Sequence, residues 1–537
     1  MLFNKKPTLA WYTKRKPYNF VSYDLPYFAV LEKIAKEITQ ANLRFPNGIK
    51  DDYELAYMCT GYLEDFISEI GYWQTIREKN KELYGTPVPF FYKQGSDYNE
   101  DDMNVEDICL IIWYFKGLTS TNLHNPQNPD IEILANEIFN IMIENYDKLD
   151  ATAFYDEYYQ VEDGDSEDWG KFKRKCNWFA NNSPFTCYEC SNYLAEEMQP
   201  QKIAKEFGAE FNFITANENM LFRRGIKWHG RLGIDMFADM LKGDKKTIQQ
   251  VREFTRKDCA AYYLKEKDSQ HFHFINTFTR QKYLVPLHSI TGKMNAKCYY
   301  YGGFIRWGSH LEMNGNIFGG WEQSNFGVAD DLNDKFQQEF YYYVDSYKQS
   351  IDEMIDEQKV AFQKAFGTDL IIHHSAKEFH ESLYKFDVSY YENVVKDKSQ
   401  TVDEYIKQYG MSAKLIKEFG SKTVLSMYFN PKMGMEYLED FGVILSVLKK
   451  KNQDLTNSDK NELASLLLDD SFSGQFLQYF INNYDCRLLF EFFGIDSKKE
   501  FEFAIRYFKN HDFRTQPPRL SLHGFLRGKE WTLKDAS

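Results

Sequence analysis

Apolar residues recur every three or four positions over the first 150 residues, the spacing that lines one face of an α-helix. Asp24 and Pro26 form a helix-start signal, and Val30, Ile34 and Ile38 follow on one stripe. A second helix is predicted from about Asp52, with Leu55, Cys59, Tyr62, Phe66 and Ile70 on one face. Asn104 is placed to cap a third. Glu106 and Asp107 sit in its first turn, which the helix dipole favours for acids, and Ile108, Ile111, Ile112 and Phe115 face inward. Pro129 and Asp130 open a fourth, with Leu134, Ile138, Ile141 and Met142 apolar.

The period changes over residues 259–322. His271-Phe272-His273-Phe274 alternates polar and apolar, as in a half-buried strand. Short strands are also expected over 259–264, 282–290 and 299–307. Asn314-Gly315 between strand-like runs is a strong hairpin signal. So many short strands so close together predict a small barrel or a strongly bent sheet.

After Trp321 the pattern returns to helix. Residues 334–366 read as one long helix closed by Gly367, with Phe336, Phe340, Tyr343, Tyr347, Ile351 and Met354 three or four apart. That stripe is too short to favour a dimerising coiled coil. Residues 375–510 carry further short helices, and the tail from Thr515 is irregular. The expected fold class is α+β, with mainly helical N- and C-terminal regions flanking a central small β-barrel-like module. The expected divisions are a helical N-terminal domain with an acidic segment (1–215), a basic loop, helix and barrel-like module (216–330), and a helical C-terminal region (331–537).

Composition narrows the class. The 537 residues include 45 Phe, 38 Tyr and 9 Trp against 14 Pro and 30 Gly, which excludes disorder over most of the length. The first twenty residues hold no apolar signal core. The longest apolar run, residues 108–115, is too short to span a membrane. Eight scattered Cys suggest reduced thiols. The expectation is a soluble cytoplasmic protein with no membrane partner.

Residues 53–115 contain YLEDFISEIGYW, KELYGTPVPFF, the acidic spacer DYNEDDMN, and VEDICLIIWYF in succession. This succession resembles a family of uncharacterised bacterial proteins of gut-dwelling anaerobes, classed as a domain of unknown function. The resemblance implies a bacterial cytosolic origin. It implies no activity, cofactor or catalytic residue.

The net charge of -14 hides an asymmetry. Residues 95–168 hold 19 Asp/Glu and 2 Lys/Arg, whereas residues 223–322 hold 17 Lys/Arg and 9 Asp/Glu. The densest basic part, RRGIKWHGRLG, places Arg223, Arg224, Lys227 and Arg231 among Gly225, Gly230 and Gly233, just before a helix. Free backbone N–H groups at such a turn, the helix dipole and forked guanidinium donors suit an anion. Tyr299, Tyr301, Arg306, Trp307 and Trp321 are candidate stacking groups beside it. The plainer reading pairs the basic stretch with the acidic one. The pI of about 5.4 counts against a dedicated nucleic-acid binder.

Other chemistry is thin. Cys187 and Cys190 form a lone CxxC, and with Cys176 they are the residues a zinc site would use. No second CxxC or nearby His completes it, so reduced thiols are the expected state. His373, His374 and His380 lie near Glu378 and Glu381, but the six- and seven-residue spacings do not bring two imidazoles onto one ion, and capping and surface roles are expected. The acidic run 163–168 fails the calcium-loop pattern, because Arg174 stands where a bidentate Glu is needed. No nucleophile elbow, HExxH, P-loop or kinase signature occurs, and no cofactor is expected. The leading expectation is a non-catalytic binding or scaffold protein with a basic aromatic recognition surface on the central module. The alternatives are a nucleic-acid-associated protein that grips phosphates through 223–233, and an enzyme of unrecognised type. The expected partner is an anionic ligand, a nucleic acid or a protein.

Overall fold

The computed structural model describes residues 6–93, 95–120, 122–162, 169–197, 213, 216–217, 220–221, 224–253, 258–277, 281–290, 292–308, 310–313, 317–322, 345–411, 424–495 and 497–513. The chain forms two units. One comprises residues 1–255 and 484–515, and the other residues 256–483 and 516–537. The expected Asn314-Gly315 turn, the 163–168 run, the first part of the long helix (334–344) and the tail from Thr515 lie outside the described residues.

The first unit is built around the helix Ile49–Ile67. The helices Asp24–Gln40, Tyr72–Tyr84, Val105–Thr119 and Pro129–Tyr146 pack against it. Every residue from Asp51 to Asp65 is buried, so this helix has no solvent face, and five carboxylates go in with it. A buried carboxylate must find donors or a cation. Asp51 accepts from Tyr188 Oη (2.8 Å) and the Asn47 N–H (2.9 Å), and Asp52 accepts from Thr39 Oγ1 (2.9 Å). Glu54 takes both ends of the Arg15 guanidinium at 2.6 and 2.8 Å. Glu64 pairs with Lys16, with side chains 3% and 2% exposed, and accepts from Tyr23 Oη at 3.0 Å. Asp65 accepts the N–H groups of Gly71, Tyr72 and Trp73 at 2.7–2.9 Å, which satisfies the open N-terminus of the helix Tyr72–Tyr84.

Sequence-expected starts are found at Asp24, at Asn104 and at Pro129. Asn128 caps the helix Pro129–Tyr146 through Asp130 N–H (3.0 Å). Asn104 precedes the helix Val105–Thr119 but does not cap it. Its amide is occupied with the turn before it, accepting from Asn99 N–H (3.0 Å) and donating to the carbonyls of Asn99 and Asp102 (both 2.8 Å). The late helix Lys498–Phe508 belongs to this unit. Tyr507 Oη donates to the Tyr114 carbonyl at 2.9 Å, and Phe503 meets the Phe90 and Trp113 rings. Strands β1 (Gln160–Val161) and β2 (Lys242–Gly243) form a short parallel pair.

In the second unit, β3 (Asp258–Lys267), β4 (His271–Asn276), β5 (Lys282–Pro286), β6 (Cys298–Trp307) and β7 (His310–Met313) form an antiparallel sheet in the order β5-β4-β3-β6-β7, with β8 (Phe318–Trp321) paired to the first half of β6. β5 and β7 approach each other, so the sheet curls to near closure. The alternation along β4 turns Phe272 and Phe274 inward onto Tyr262, Leu264, Tyr283 and Phe304. A register shift between Leu264 and Glu266 adds to the bend. The fold is thus α+β with helical flanks and a barrel-like central module, as expected.

One part of the expected helical C-terminal region is strand instead. β9 (Leu370–Ile371), β10 (Leu425–Asn430) and β11 (Gly434–Glu439) form a second antiparallel sheet. The helices Asp345–Phe366 and Ala376–Asn393 cover it through Phe362, Phe379, Leu383, Phe386, Met427 and Phe429. All six residues of β10 are buried, so its sequence does not alternate and carries no period-2 signal. No described helix is long and apolar enough to cross a membrane.

Two expectations follow. Lys16→Met leaves Glu64 charged and buried, and should lower the unfolding free energy of the first unit by about 3–5 kcal/mol in urea titration, with Lys16→Met/Glu64→Leu recovering part of the loss. Asp107 accepts from Tyr62 Oη (2.6 Å) and Tyr98 Oη (2.8 Å), and burial pushes its carboxyl up to about 6. The native state then holds a proton that the unfolded chain, titrating near 3.9, has lost. The stability this proton confers is present at low pH and is lost as pH rises through about 6. Asp107→Asn should therefore flatten the fall in melting temperature between about pH 4.5 and 7.

Candidate functional site

The basic turn is an internal element. Arg223 lies outside the described residues. The Arg224 guanidinium stacks 4.3 Å from the Tyr193 ring centroid. Lys227 places its ammonium 4.4 Å from the centroid of the buried Tyr507 ring, and its N–H reaches both oxygens of buried Glu189 at 3.0 and 3.1 Å. Burial pushes the Lys227 ammonium below its ordinary range. Arg231 is buried, pairs with Asp239 and donates to the Asp235 carbonyl at 3.2 Å. The glycines serve packing rather than a phosphate. A Cβ on Gly225 would lie 2.6 Å from the Asn510 carbonyl oxygen, and one on Gly230 (φ +70°) 2.8 Å from the same atom. Gly233 is the first residue of the helix Gly233–Met240 and has an ordinary φ. Among the described residues each of these cations has an internal contact, a tyrosine ring for Arg224 and for Lys227, and Asp239 for Arg231. Glu189 accepts from the Lys227 backbone N–H, Asp235 is met through its backbone carbonyl, and the Asp239 carboxylate pairs with Arg231. Of the acidic 95–168 stretch, Asp156 pairs with Lys242 at 3.0 Å.

Four of the stacking candidates fall on β6 and Trp321 on β8, and they are not equally reachable. Tyr299, Tyr301 and Trp307 sit at odd positions of β6, opposite the inward Tyr300 and Phe304. Tyr301 and Trp307 are nonetheless buried, while Tyr299 is half-buried against Tyr263, ring centroids 5.1 Å apart. The side chains of Arg306 and Trp321 lie outside the described residues. Cys176, Cys187 and Cys190 are buried free thiols, and burial pushes Cys187 up to about 12. Among the described residues no three His, Cys, Asp or Glu side chains converge as metal ligands would.

A different feature gathers chemistry at one place. Residues 90–96, the start of the helix Val105–Thr119 and the start of the helix Pro129–Tyr146 enclose a cleft of about 240 Å³. Phe90, Phe91, Val105, Cys109 and Pro126 give it apolar walls, and Lys93, Ser96, Glu106, Gln127, Asn128, Glu132 and Asn136 add polar groups. Asn128, Glu132 and Asn136 are four apart and so line one helix face, while Glu106 and Cys109 share a face of the other helix. Phe90 has φ +71°, a left-handed conformation costly for an aromatic residue. Its ring is held by Trp113 and Phe503, centroids 5.0 and 5.1 Å away, and its carbonyl accepts from Gln127 Nε2 at 3.3 Å. The buried Ser96 Oγ has no hydrogen-bond partner. Neither Glu106 nor Glu132 is in an ion pair among the described residues. Burial pushes the Cys109 thiol up to about 12, with Glu132 and Glu106 adding to the effect, so it stays protonated at neutral pH.

Residues 8–205 match the model of a family described as a protein of unknown function, DUF3843. The match bears out the resemblance read from residues 53–115, and it spans the cleft and the whole of the helix Ile49–Ile67. No curated protein and no solved structure matches the chain.

The acidic 95–168 stretch was expected to pair with the basic one, which gave no reason to look for a cleft there. The four-residue spacing of Asn128, Glu132 and Asn136 was the one signal available. The packing role of the turn is checked by glycine substitution. Gly230→Ala should cost about 2 kcal/mol or more in urea unfolding, while Gly71→Ala, in the left-handed region with nothing within 4 Å of its added Cβ, should cost about 1 kcal/mol.

Proposed function

We propose that this chain is a ligand-binding protein whose first unit holds a small, positively charged organic molecule, an amine or quaternary ammonium, in the cleft between residues 90–96, 105–109 and 128–136. The observation that carries this reading is a cleft with apolar walls lined by two carboxylates, Glu106 and Glu132, neither of which is in an ion pair among the described residues, although Lys93 lines the same cleft. The Phe90 and Phe91 rings add faces that attract a cation. Asn128, Asn136 and Ser96 offer further hydrogen-bonding groups. The surrounding acidic run biases approach toward cations. At about 240 Å³ the cleft lies below the roughly 300–1,000 Å³ of drug-sized sites, so the ligand is small. Phe90 supplies the supporting detail, since a strained backbone held by neighbouring packing recurs at ligand clamps. A binding protein is the class expected from the sequence, and this reading seats its site in the cleft rather than in the basic turn.

A second reading keeps recognition on the central module. There half-buried Tyr263 and Tyr299 lie in register with Ile275 and then exposed Lys282, beside Leu284 at 53% exposure. Such a face suits stacking or apolar contact with a polymer, and salt-dependent retention of single-stranded RNA or DNA, weakened by Tyr299→Ala, would favour it.

The cleft is tested by ligand-observed NMR with methylammonium, choline and putrescine. At least one should bind, and Glu106→Gln/Glu132→Gln should weaken it by about tenfold or more. Cys109→Phe, which fills the cleft with an apolar side chain, should abolish binding while the chain stays folded. Absence of binding by all three probes, or binding indifferent to Cys109→Phe, overturns the reading.

A further inference from the structure

A second chemical arrangement lies in the other unit, and it does not depend on the cleft. His373, expected at the surface with His374 and His380, is buried at 2% exposure. Its Nδ1 is 2.7 Å from the Leu425 carbonyl oxygen, and its Nε2 is 2.8 Å from Ser382 Oγ. These two contacts dictate the proton positions. A carbonyl only accepts, so Nδ1 carries the hydrogen. Burial holds the imidazole below its usual range, so the ring is neutral and Nε2 presents a lone pair. Ser382 must then donate its hydroxyl proton to Nε2. This is the ground-state geometry of a serine activated by a general base that a third group orients.

The surroundings hold that geometry in place. Leu425 opens β10, so the accepting carbonyl belongs to a rigid, fully buried strand. The ring edge packs on Phe379 with centroids 5.6 Å apart. Glu378, the nearby carboxylate, is engaged by the His374 N–H at 2.8 Å. Ser382 itself is half-buried on the helix Ala376–Asn393, whereas the imidazole behind it is buried.

The geometry points to Ser382 as a nucleophilic serine, with His373 as its general base, that accepts the acyl group of an activated ester or thioester. In that step Ser382 Oγ bonds to the acyl carbon and its proton moves to His373 Nε2. The bond from the acyl carbon to the leaving oxygen or sulfur breaks, and the leaving group takes the proton from Nε2. Water then attacks the acyl-serine, passing its proton through Nε2 back to Ser382 Oγ as the carboxylic acid departs. The substrate class follows from the third member. A neutral carbonyl stabilises the transient imidazolium less than the carboxylate of a full triad does, so the leaving group must be a weak base. An aryl ester or a thioester meets that requirement, and a simple amide does not.

The full chain is treated near pH 7.5 with a fluorophosphonate probe and with p-nitrophenyl acetate. The expected result is labelling mapped to Ser382 by peptide mass spectrometry and a burst of p-nitrophenolate approaching one equivalent. Ser382→Ala should remove both. His373→Gln should slow labelling by about a hundredfold or more, the usual contribution of a general base. Because His373→Gln disturbs a buried site, Ser382→Cys supplies an independent readout. Its new thiol should be alkylated by iodoacetamide faster than a free thiol at the same pH, which a merely structural hydrogen bond would not produce. Labelling of Ser382 no faster than that of other half-exposed serines, or ordinary alkylation of Ser382→Cys, overturns the proposal.

Discussion

The first unit depends on the neutralisation of carboxylates carried by a helix that has no solvent face. Asp51, Asp52, Glu54, Glu64 and Asp65 all lie on Ile49–Ile67 and are all buried. Each would oppose folding if left alone, because removing an ionised group from water costs several kcal/mol or more. Each therefore requires a partner from another segment. Arg15 and Lys16 come from the N-terminal turn, Thr39 from the preceding helix, Tyr188 from the CxxC helix, and three backbone N–H groups from the next helix start. Carboxylates that demand directional partners orient the surrounding helices more strictly than apolar contacts do.

The same logic explains the Gly-rich turn. Lys227 and Arg231 resemble an anion site when only their neighbours in sequence are considered. In the fold they meet Glu189, Asp235 and Asp239, while Gly225 and Gly230 admit the chain at Asn510 to close backbone approach. Arg and Gly at high local density are what a tight internal crossing needs as much as what a phosphate needs. The cleft shows the reverse case. Glu106 and Glu132 sit in an acidic run, and helix geometry brings them to one cleft with apolar walls where neither forms an ion pair among the described residues.

The second unit uses its polar groups more sparingly. Its curled sheet encloses an aromatic interior of Tyr262, Phe272, Phe274, Tyr283 and Phe304, and its second sheet is sealed by helices through Phe362, Phe379 and Phe386. In such surroundings a buried imidazole with both nitrogens engaged is confined to one tautomer. That confinement sets the hydroxyl of Ser382, which meets the imidazole, apart from that of Ser389 on the same helix, which donates to the Ala361 carbonyl.

Local pattern carried the element types wherever a face alternates between core and water. The helices at Asp24 and Pro129 and the strand His271–Asn276 were legible because one side of each is wetter than the other, whereas the helix at Val105, buried throughout 107–115, was legible from its acidic first turn. The pattern failed where both sides are dry: β10, whose residues Leu425 to Asn430 are all buried, shows no period, and the return of residues 484–513 to the first unit leaves no mark in their own helical spacing. Site chemistry failed for a related reason. Whether Arg231 is free or paired, whether Glu132 faces a cavity, and whether His373 reaches a serine nine residues away across a turn all depend on atoms brought together from different segments. The sequence by itself determined the N-terminal helices and the central strands, the aromatic density of the cores and the resemblance to a family of unknown function. Only the tertiary structure decided which charges are satisfied and which remain available, because partnership is set by distance in space.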